Sequence, residues 1–329
     1  MKNTIIKMLK REEVHRTFLG ALEKKIPDKT KLVEMLMETL FMEKGAIYRR
    51  LRGDVPFSFY EAVDIAEKLD MSLSSFIHAD CARVNRFELT FVDYTKMDEA
   101  DYKQWEDYVS FVGSAKNDAK SEIAESSNIL PVCVYAGFDF IAKYFLFKYQ
   151  YLLHGLDSRT SYCDLVVPER LHRIFRTYFE KSKNIANTTY ILDYMTFQYL
   201  ATDIRFFYDI HLISNDDILQ IKEDLLALLN YIEDISLIGY YEETGNPVSI
   251  YISDVNLDAD YICMHINDAY ASLVRTFILN SVESDGRSSF KKIYDWIQSQ
   301  KKSSTSITKT GTAYRTDFFE KQRNIISDL

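Results

Sequence analysis

The sequence predicts a mainly α-helical protein that is α+β overall, with five short N-terminal helices and a helical C-terminal region that carries a small antiparallel β-sheet. Apolar residues recur at helical spacing up to Ile235, whereas later segments are strand-like runs rich in Val, Ile and Tyr. Of the 329 residues, 47% are apolar, which is typical of a folded globular chain and excludes a disordered one.

Charge is divided unevenly along the chain. We predict a domain over residues 1–80 and a larger region over 81–329, with a sub-boundary near residue 236. The first part carries a net charge of +1 and the remainder −10. The segment Glu43–Gly53 is therefore a basic patch in an otherwise acidic protein. Such a patch can bind phosphates, while the acidic remainder of the protein limits unspecific attraction to nucleic acid.

Start and stop signals delimit the N-terminal helices. Pro27 ends the first helix, Asp28 and Ser58 are N-cap residues, and Gly53 follows the third helix. The five predicted helices are Glu12–Ile26, Lys29–Phe41, Lys44–Arg52, Phe59–Leu69 and Leu73–Phe76, the last capped by Ser72.

The segments Ala46–Gly53 and Phe57–Phe76 resemble the Cro and phage-repressor type of helix-turn-helix. The matching features are Tyr-Arg-Arg-Leu-Arg-Gly at the end of a recognition helix, then Ile65-Ala66 and Met71-Ser72-Leu73. This resemblance covers about a quarter of the chain. It implies a lambda-repressor-like DNA-binding domain at the front of a bacterial transcriptional regulator. Phe41 stands at a turn position that is often Gly, and Met37 where a small residue is expected.

Helical spacing assigns the faces of the predicted recognition helix, residues 44–52. Ile47 and Leu51 are four residues apart and belong to the core. The residues left to face the major groove are Lys44, Gly45, Tyr48, Arg49 and Arg52. Arg50 is expected to reach phosphate from the helix flank. Lys29, Thr30 and Lys31 are expected to anchor phosphate through free N–H groups at a helix N-terminus.

The C-terminal region is predicted to be helices followed by three or four antiparallel strands. Phe87–Val92 is either a short strand or an extended linker. The helices are Asp98–Ala115, Ile129–Leu153, Pro168–Ser182, Thr188–His211, Asn215–Ile235, Ser288–Gln300 and Thr316–Ser327; the strands are Leu237–Tyr241, Val248–Ser253, Tyr261–Ile266 and Tyr270–Leu279. Such a module can hold a ligand between strand and helix, or form the wall of a dimer.

Several function classes lack their signatures. There is no Gly-rich nucleotide loop, HExxH or GxSxG, so we predict no enzyme, no catalytic residue and no cofactor. The four cysteines form no CxxC pair, and Cys263 with His265 is too few ligands for a metal. The N-terminus lacks an apolar signal core, and no apolar run reaches membrane-spanning length, which predicts a cytoplasmic protein without membrane contact.

Two functions from different classes follow from these patterns. The leading one is a sequence-specific transcriptional regulator that binds double-stranded DNA as a homodimer and responds to a small-molecule or protein effector. The alternative is a protein-interaction or scaffold module with a degenerate helix-turn-helix, which Met37 and Phe41 favour.

Overall fold

The computed structural model describes residues 2–69, 71, 87–154 and 160–329, with side chains from residue 14 onward. The chain divides into two compact units, Met1–Val84 and Asn85–Leu329. No division is found near residue 236, because a helix continues to Ile238 and the next strand joins the same sheet as its predecessors. Among the described residues, no helix has the length and apolar character needed to cross a bilayer.

The described part of the N-terminal unit contains four helices. They are α1 (Lys2–Lys25), α2 (Lys29–Leu40), α3 (Lys44–Leu51) and α4 (Phe59–Lys68). The prediction of a five-helix, lambda-repressor-like domain is wrong, because these helices do not form that pattern. One unbroken helix of 24 residues opens the unit, and the predicted fifth helix, Leu73–Phe76, lies outside the described residues.

Caps and a small apolar core hold these helices. Asp28 caps α2 by accepting hydrogen bonds from the backbone N–H groups of Thr30 and Lys31. Ser58 and Glu61 form a reciprocal capping box at the start of α4. The buried core side chains are Phe18, Leu22, Leu32, Val33, Leu36, Ile47 and Ile65.

The C-terminal unit is built on one mixed sheet. Its strands are β1 (Glu88–Leu89), β2 (Glu122–Ser127), β3 (Asn187–Asp193), β4 (Val248–Ser253), β5 (Tyr261–Ile266), β6 (Ala269–Thr276), β7 (Asn280–Ser284) and β8 (Ser304–Ser306). Their order is β1-β7-β6-β5-β2-β3-β4-β8. The central strands β2, β3 and β4 run parallel, and the flanking pairs are antiparallel.

Helices cover both faces of this sheet. They are α5 (Glu99–Gly113), α6 (Val132–Tyr135), α7 (Asp139–His154), α8 (Glu169–Ser182), α9 (Thr196–Asp209), α10 (Asn215–Ile238), α11 (Arg287–Gln300) and α12 (Thr312–Ser327). On β3, Tyr190 and Leu192 belong to the main core, whereas Ile191 between them packs in a second cluster with Phe290 and Ile297 of α11. Successive side chains therefore enter opposite buried faces.

The predicted small antiparallel sheet is wrong, and the reason is burial on both faces. Thr188–His211 was expected to be one helix, but its first part is β3, hydrogen-bonded to β2 and β4. A strand buried on both faces shows a continuous apolar run without alternation, which periodicity cannot distinguish from a helix.

Three other predicted boundaries are also corrected. Leu237–Tyr241 is not a strand, because α10 extends to Ile238 and ends at Gly239 in a left-handed conformation. Ile129–Leu153 is two helices, α6 and α7. The predicted strand Tyr270–Leu279 ends at Thr276 and turns into β7.

Candidate functional site

The predicted recognition helix α3 presents a polar face opposite a single buried anchor. Ile47 is fully buried and Leu51 is partly buried, as the helical spacing predicted. The exposed side consists of Lys44, Gly45, Tyr48 and Arg49. The Lys44 ammonium lies 6.0 Å from the centre of the Tyr48 ring, which holds both side chains on this face.

Three neighbouring arginines have three different environments. Arg50 is only 16% exposed and donates two hydrogen bonds to the Glu61 carboxylate, at 2.7 and 3.2 Å. Arg52 is exposed, and its guanidinium pairs with Asp54 at 2.7 Å. Arg49 makes no ion pair with any described residue. The structure therefore does not match the prediction that Arg50 reaches phosphate. Its guanidinium instead joins α3 to α4 through Glu61.

The N-terminus of α2 also differs from the expectation. The Lys29, Thr30 and Lys31 side chains are exposed. The backbone N–H groups of Thr30 and Lys31 are not free, since both donate to the Asp28 carboxylate at 2.9 and 3.3 Å. Any phosphate contact here would therefore come from the two ammonium groups and the Thr30 hydroxyl.

The turn between α2 and α3 carries a conformation that is unusual for its residue. Phe41 adopts φ 52° and ψ 43°, in the left-handed region that glycine favours. Its side chain is 95% exposed, so packing against the described residues of the unit does little to offset the cost of this backbone, of order 1 kcal/mol. The sequence identified this position as atypical, but it did not predict the exposure of the ring.

Phe41 borders a groove that sequence reasoning missed. The groove lies between the end of α2 and α4, and Tyr60 is 80% exposed on its other side. Its charged lining is mainly acidic and consists of Glu38, Glu61, Asp64, Glu67 and one cation, Lys68. This acidic surface would repel phosphate. It is therefore distinct from the basic face of α3.

A second candidate site lies inside the C-terminal unit. A cavity of about 290 Å³, open to solvent on one side, is lined by strands β2 and β5–β7, helices α5, α6 and α8, and the segment before α5. Four aromatic residues line it: Tyr94, Trp105, Tyr108 and Tyr178. Ile278, which precedes the lining residue Leu279 in the turn before β7, has φ 69°, a strained backbone for a β-branched residue. Strain of this kind clusters at functional sites.

Two buried charged residues, Glu125 and Arg275, line this cavity, and Arg275 also contacts the buried Asp260, which is not part of the lining. Arg275 donates to Glu125 at 3.3 Å and lies 3.1 Å from an Asp260 oxygen. All three side chains are at most 5% exposed. Burial raises the pKa of the Glu125 carboxyl to about 7, and the Asp260 charge adds to this, while Arg275 opposes it. No sequence signal joins Glu125 to Arg275, since they are 150 positions apart.

The Cys263–His265 pair acquires no further ligands. Among the described residues, no cluster of three or more His, Cys, Asp or Glu side chains is arranged to hold a metal ion. The His265 ring instead stacks on Tyr270, with ring centres 4.5 Å apart.

No protein-family model, curated protein or solved structure matches this chain. The function of the α3 face and of the cavity therefore has to follow from the chemistry of their own residues.

Proposed function

We propose that this protein is a sequence-specific DNA-binding transcriptional regulator in which α3 enters the major groove and the C-terminal unit dimerises or senses a signal. The observation that carries the proposal is Arg49. Its guanidinium is exposed and pairs with no carboxylate among the described residues, on a helix whose rotation is set by buried Ile47. Arginine that is free to form two parallel hydrogen bonds with guanine is the commonest specific contact to DNA.

Gly45 gives independent support to the same face. A β-carbon added there would meet nothing within 4 Å. Glycine inside a helix costs roughly 0.5–1 kcal/mol relative to alanine. No internal packing explains the glycine, whereas a bare backbone is suited to a close approach by a DNA strand.

Dimerisation belongs to the proposal because a single recognition helix provides limited affinity. Two half-sites bound together increase it through effective concentration, and a two-fold symmetric protein reads a two-fold symmetric operator. The proposed partners are therefore double-stranded DNA, a second copy of the chain, and an effector.

The testing experiment is in vitro selection of random DNA duplexes by the full-length protein at two salt concentrations. We expect an enriched motif with two-fold symmetry, whose half-sites are about 10 base pairs apart or a multiple of this spacing. A motif without symmetry would contradict the dimer. Absence of any enrichment, with no binding at low salt, would contradict DNA binding.

A matched pair of variants then tests the face of α3. Arg49→Ala is expected to lower affinity for the selected site by about 1–3 kcal/mol and to relax specificity at one base pair. The control is Arg16→Ala on α1, which removes the same charge from an exposed position of the same unit. Equal losses in the two variants would show general charge attraction and would contradict base reading by Arg49.

Lys29→Ala examines the phosphate role of the α2 N-terminus. We expect weaker binding to all sequences and a salt dependence whose slope falls by about 1. Lys24→Ala, at an exposed position of α1, is the control. A change in sequence preference would contradict a pure phosphate contact.

Exposed aromatic rings favour a second candidate function, a protein-interaction module. Phe41, Phe59 and Tyr60 are 95%, 71% and 80% exposed, which is unusual for large rings that have no partner to cover them. In this case, binding of the chain to DNA would depend little on salt, because phosphate contacts that release counterions would be missing. The two salt conditions of the selection therefore distinguish the two functions.

A further inference from the structure

The cavity in the C-terminal unit has walls made of aromatic ring surface. The Trp105 ring is perpendicular to that of Tyr108, with centres 5.9 Å apart, and inclined by 67° to that of Tyr178 at 6.2 Å. Such edge-to-face packing is common between aromatic rings, and a space lined by several rings is the kind of site that binds ammonium groups in aromatic cages.

The polar ends of these rings are already paired with each other or with the backbone. The Trp105 indole N–H donates to the Tyr94 hydroxyl at 3.0 Å, and that hydroxyl donates to the Leu279 carbonyl. The hydroxyls of Tyr108 and Tyr178 lie 3.3 Å apart. These residues therefore offer the cavity aromatic surface rather than free hydroxyl or indole N–H groups.

Carboxyl groups outnumber cations around the same cavity. Among the described residues that line it, Arg275 is the one cation, and it faces the carboxyl groups of both Glu125 and the neighbouring Asp260. Glu283 adds a further carboxyl to the lining. Partial burial of the carboxyl group and the neighbouring Asp285 and Glu88 raise the pKa of Glu283.

We propose that this cavity binds a small organic cation, a primary or quaternary ammonium compound, with its charge held between the aromatic rings and the carboxylates of Glu125 and Glu283. The volume of about 290 Å³ is at the lower end of the range for ligand pockets, so the ligand is a small molecule. The ammonium charge would lie beside the carboxyl groups of Glu125 and Glu283, and the aromatic surface would replace part of its hydration.

The contacts of Arg275 argue against an anionic ligand. Its guanidinium already faces two carboxylates and donates to the Leu130 carbonyl. An anion would have to displace one of these partners and would add charge of the same sign to the cavity. This proposal concerns the C-terminal unit alone and does not depend on DNA binding.

Fluorescence of a single tryptophan provides the test. Trp105 and Trp296 are the two tryptophans of the chain, and Trp105 alone lines the cavity. Full-length Trp296→Phe protein is titrated with choline and with its neutral analogue 3,3-dimethyl-1-butanol. A second matched pair is phenethylamine and 2-phenylethanol, and benzoate is the anion.

We expect at least one of the two cations to change Trp105 emission saturably, with a dissociation constant at least about tenfold lower than that of its neutral analogue. Equal binding of the neutral analogues would overturn the proposal. So would tightest binding of benzoate, or the absence of a saturable response to either cation up to about 100 mM.

Carboxamide substitutions locate the cation. Glu125→Gln leaves Arg275 balanced by Asp260 and is expected to weaken cation binding at least about tenfold. Glu283→Gln is expected to weaken it about threefold, because this side chain is more exposed. The control, Glu320→Gln, removes an exposed carboxylate on α12 and is expected to leave binding unchanged.

Glu283→Gln keeps the test decisive if Glu125→Gln does not fold, which its tryptophan emission and circular dichroism would show. Unchanged cation affinity in a folded Glu125→Gln protein would overturn the assignment of this carboxylate. Unchanged affinity in both variants would overturn the site.

Discussion

The two units of this protein place arginine in opposite environments. In the N-terminal unit, Arg49 projects into solvent from a helix held by one buried isoleucine. In the C-terminal unit, Arg275 is 5% exposed and faces two carboxylates that are equally buried. An exposed charge costs the fold little and remains available to a polyanion, whereas a buried charge is tied to its partners. Substitutions should therefore change binding in one unit and stability in the other.

The largest expected effect is that of Arg275→Met. It leaves Glu125 and Asp260 buried without a cation, which is expected to lower the free energy of unfolding by about 3–5 kcal/mol. Both tryptophans belong to the C-terminal unit, so urea unfolding followed by tryptophan emission reports on this unit. Arg173→Met, at an exposed position of α8, is expected to stay within about 0.5 kcal/mol. A loss below about 1 kcal/mol for Arg275→Met would contradict the contrast between the units.

The second effect is a pH dependence that Glu125→Gln removes. The pKa of Glu125 is raised from 4.5 to about 7, so the unfolded chain releases this proton at lower pH than the folded one. The stability contribution is therefore complete below pH 4.5 and is lost as pH rises through 7, by about 3 kcal/mol in total. The titratable and charged groups that interact with this carboxyl are Arg275, Asp260, Cys133, Tyr108, Tyr135, Tyr178, Tyr190 and Tyr241.

Urea unfolding at pH 5 and pH 8 measures this prediction. Relative to the wild type, Glu125→Gln is expected to be more stable at pH 8 than at pH 5. Glu320→Gln should show the same difference from wild type at both values. A pH-independent effect of Glu125→Gln would mean that the folded protein does not raise this pKa.

The third prediction separates two adjacent arginines within α3. Arg50→Ala removes two hydrogen bonds to Glu61 and is expected to destabilise the α3–α4 contact by about 1–2 kcal/mol. Arg49→Ala should stay within about 0.5 kcal/mol. Amide hydrogen exchange of residues 44–68 measures both, since this unit contains no tryptophan. Equal protection in the two variants would remove the distinction between a structural and a binding arginine.

The smallest effect is a gain. Gly45→Ala is expected to stabilise α3 by about 0.5–1 kcal/mol, because alanine loses less backbone entropy and its methyl group meets no atom. Under the proposed function, the same variant binds DNA more weakly. The same hydrogen-exchange experiment measures the first effect, and titration with the selected duplex measures the second. Stabilisation without any change in affinity would show that the backbone at Gly45 is not approached.

Local signals predicted the N-terminal helices better than the sheet. Asp28 and Ser58 cap α2 and α4 as expected, and Ile47 is buried, because caps and helical spacing act over a few residues. The same reasoning placed β3 inside a helix. The reason is that its partners β2 and β4 are distant in sequence and bury both of its faces.

The candidate sites divide in the same way. The exposed set Lys44, Gly45, Tyr48 and Arg49 follows from the rotation of one helix around Ile47. The ion pair between Arg50 and Glu61 does not follow from the sequence, because it depends on where α4 packs against α3. The cavity is even harder to predict from the sequence, since its lining residues Trp105, Glu125 and Arg275 come from three separate elements.

By itself, the sequence determined helices α2, α3 and α4, the caps Asp28 and Ser58, the basic face of α3 and the acidity of the remainder. Only the tertiary structure decided the mixed eight-stranded sheet, which arginine of α3 is used internally, and the aromatic cavity with its buried carboxylates. The physical reason is range. Helix hydrogen bonds and caps join residues within about four positions, whereas strand pairing and buried ion pairs join residues that only the folded chain brings together.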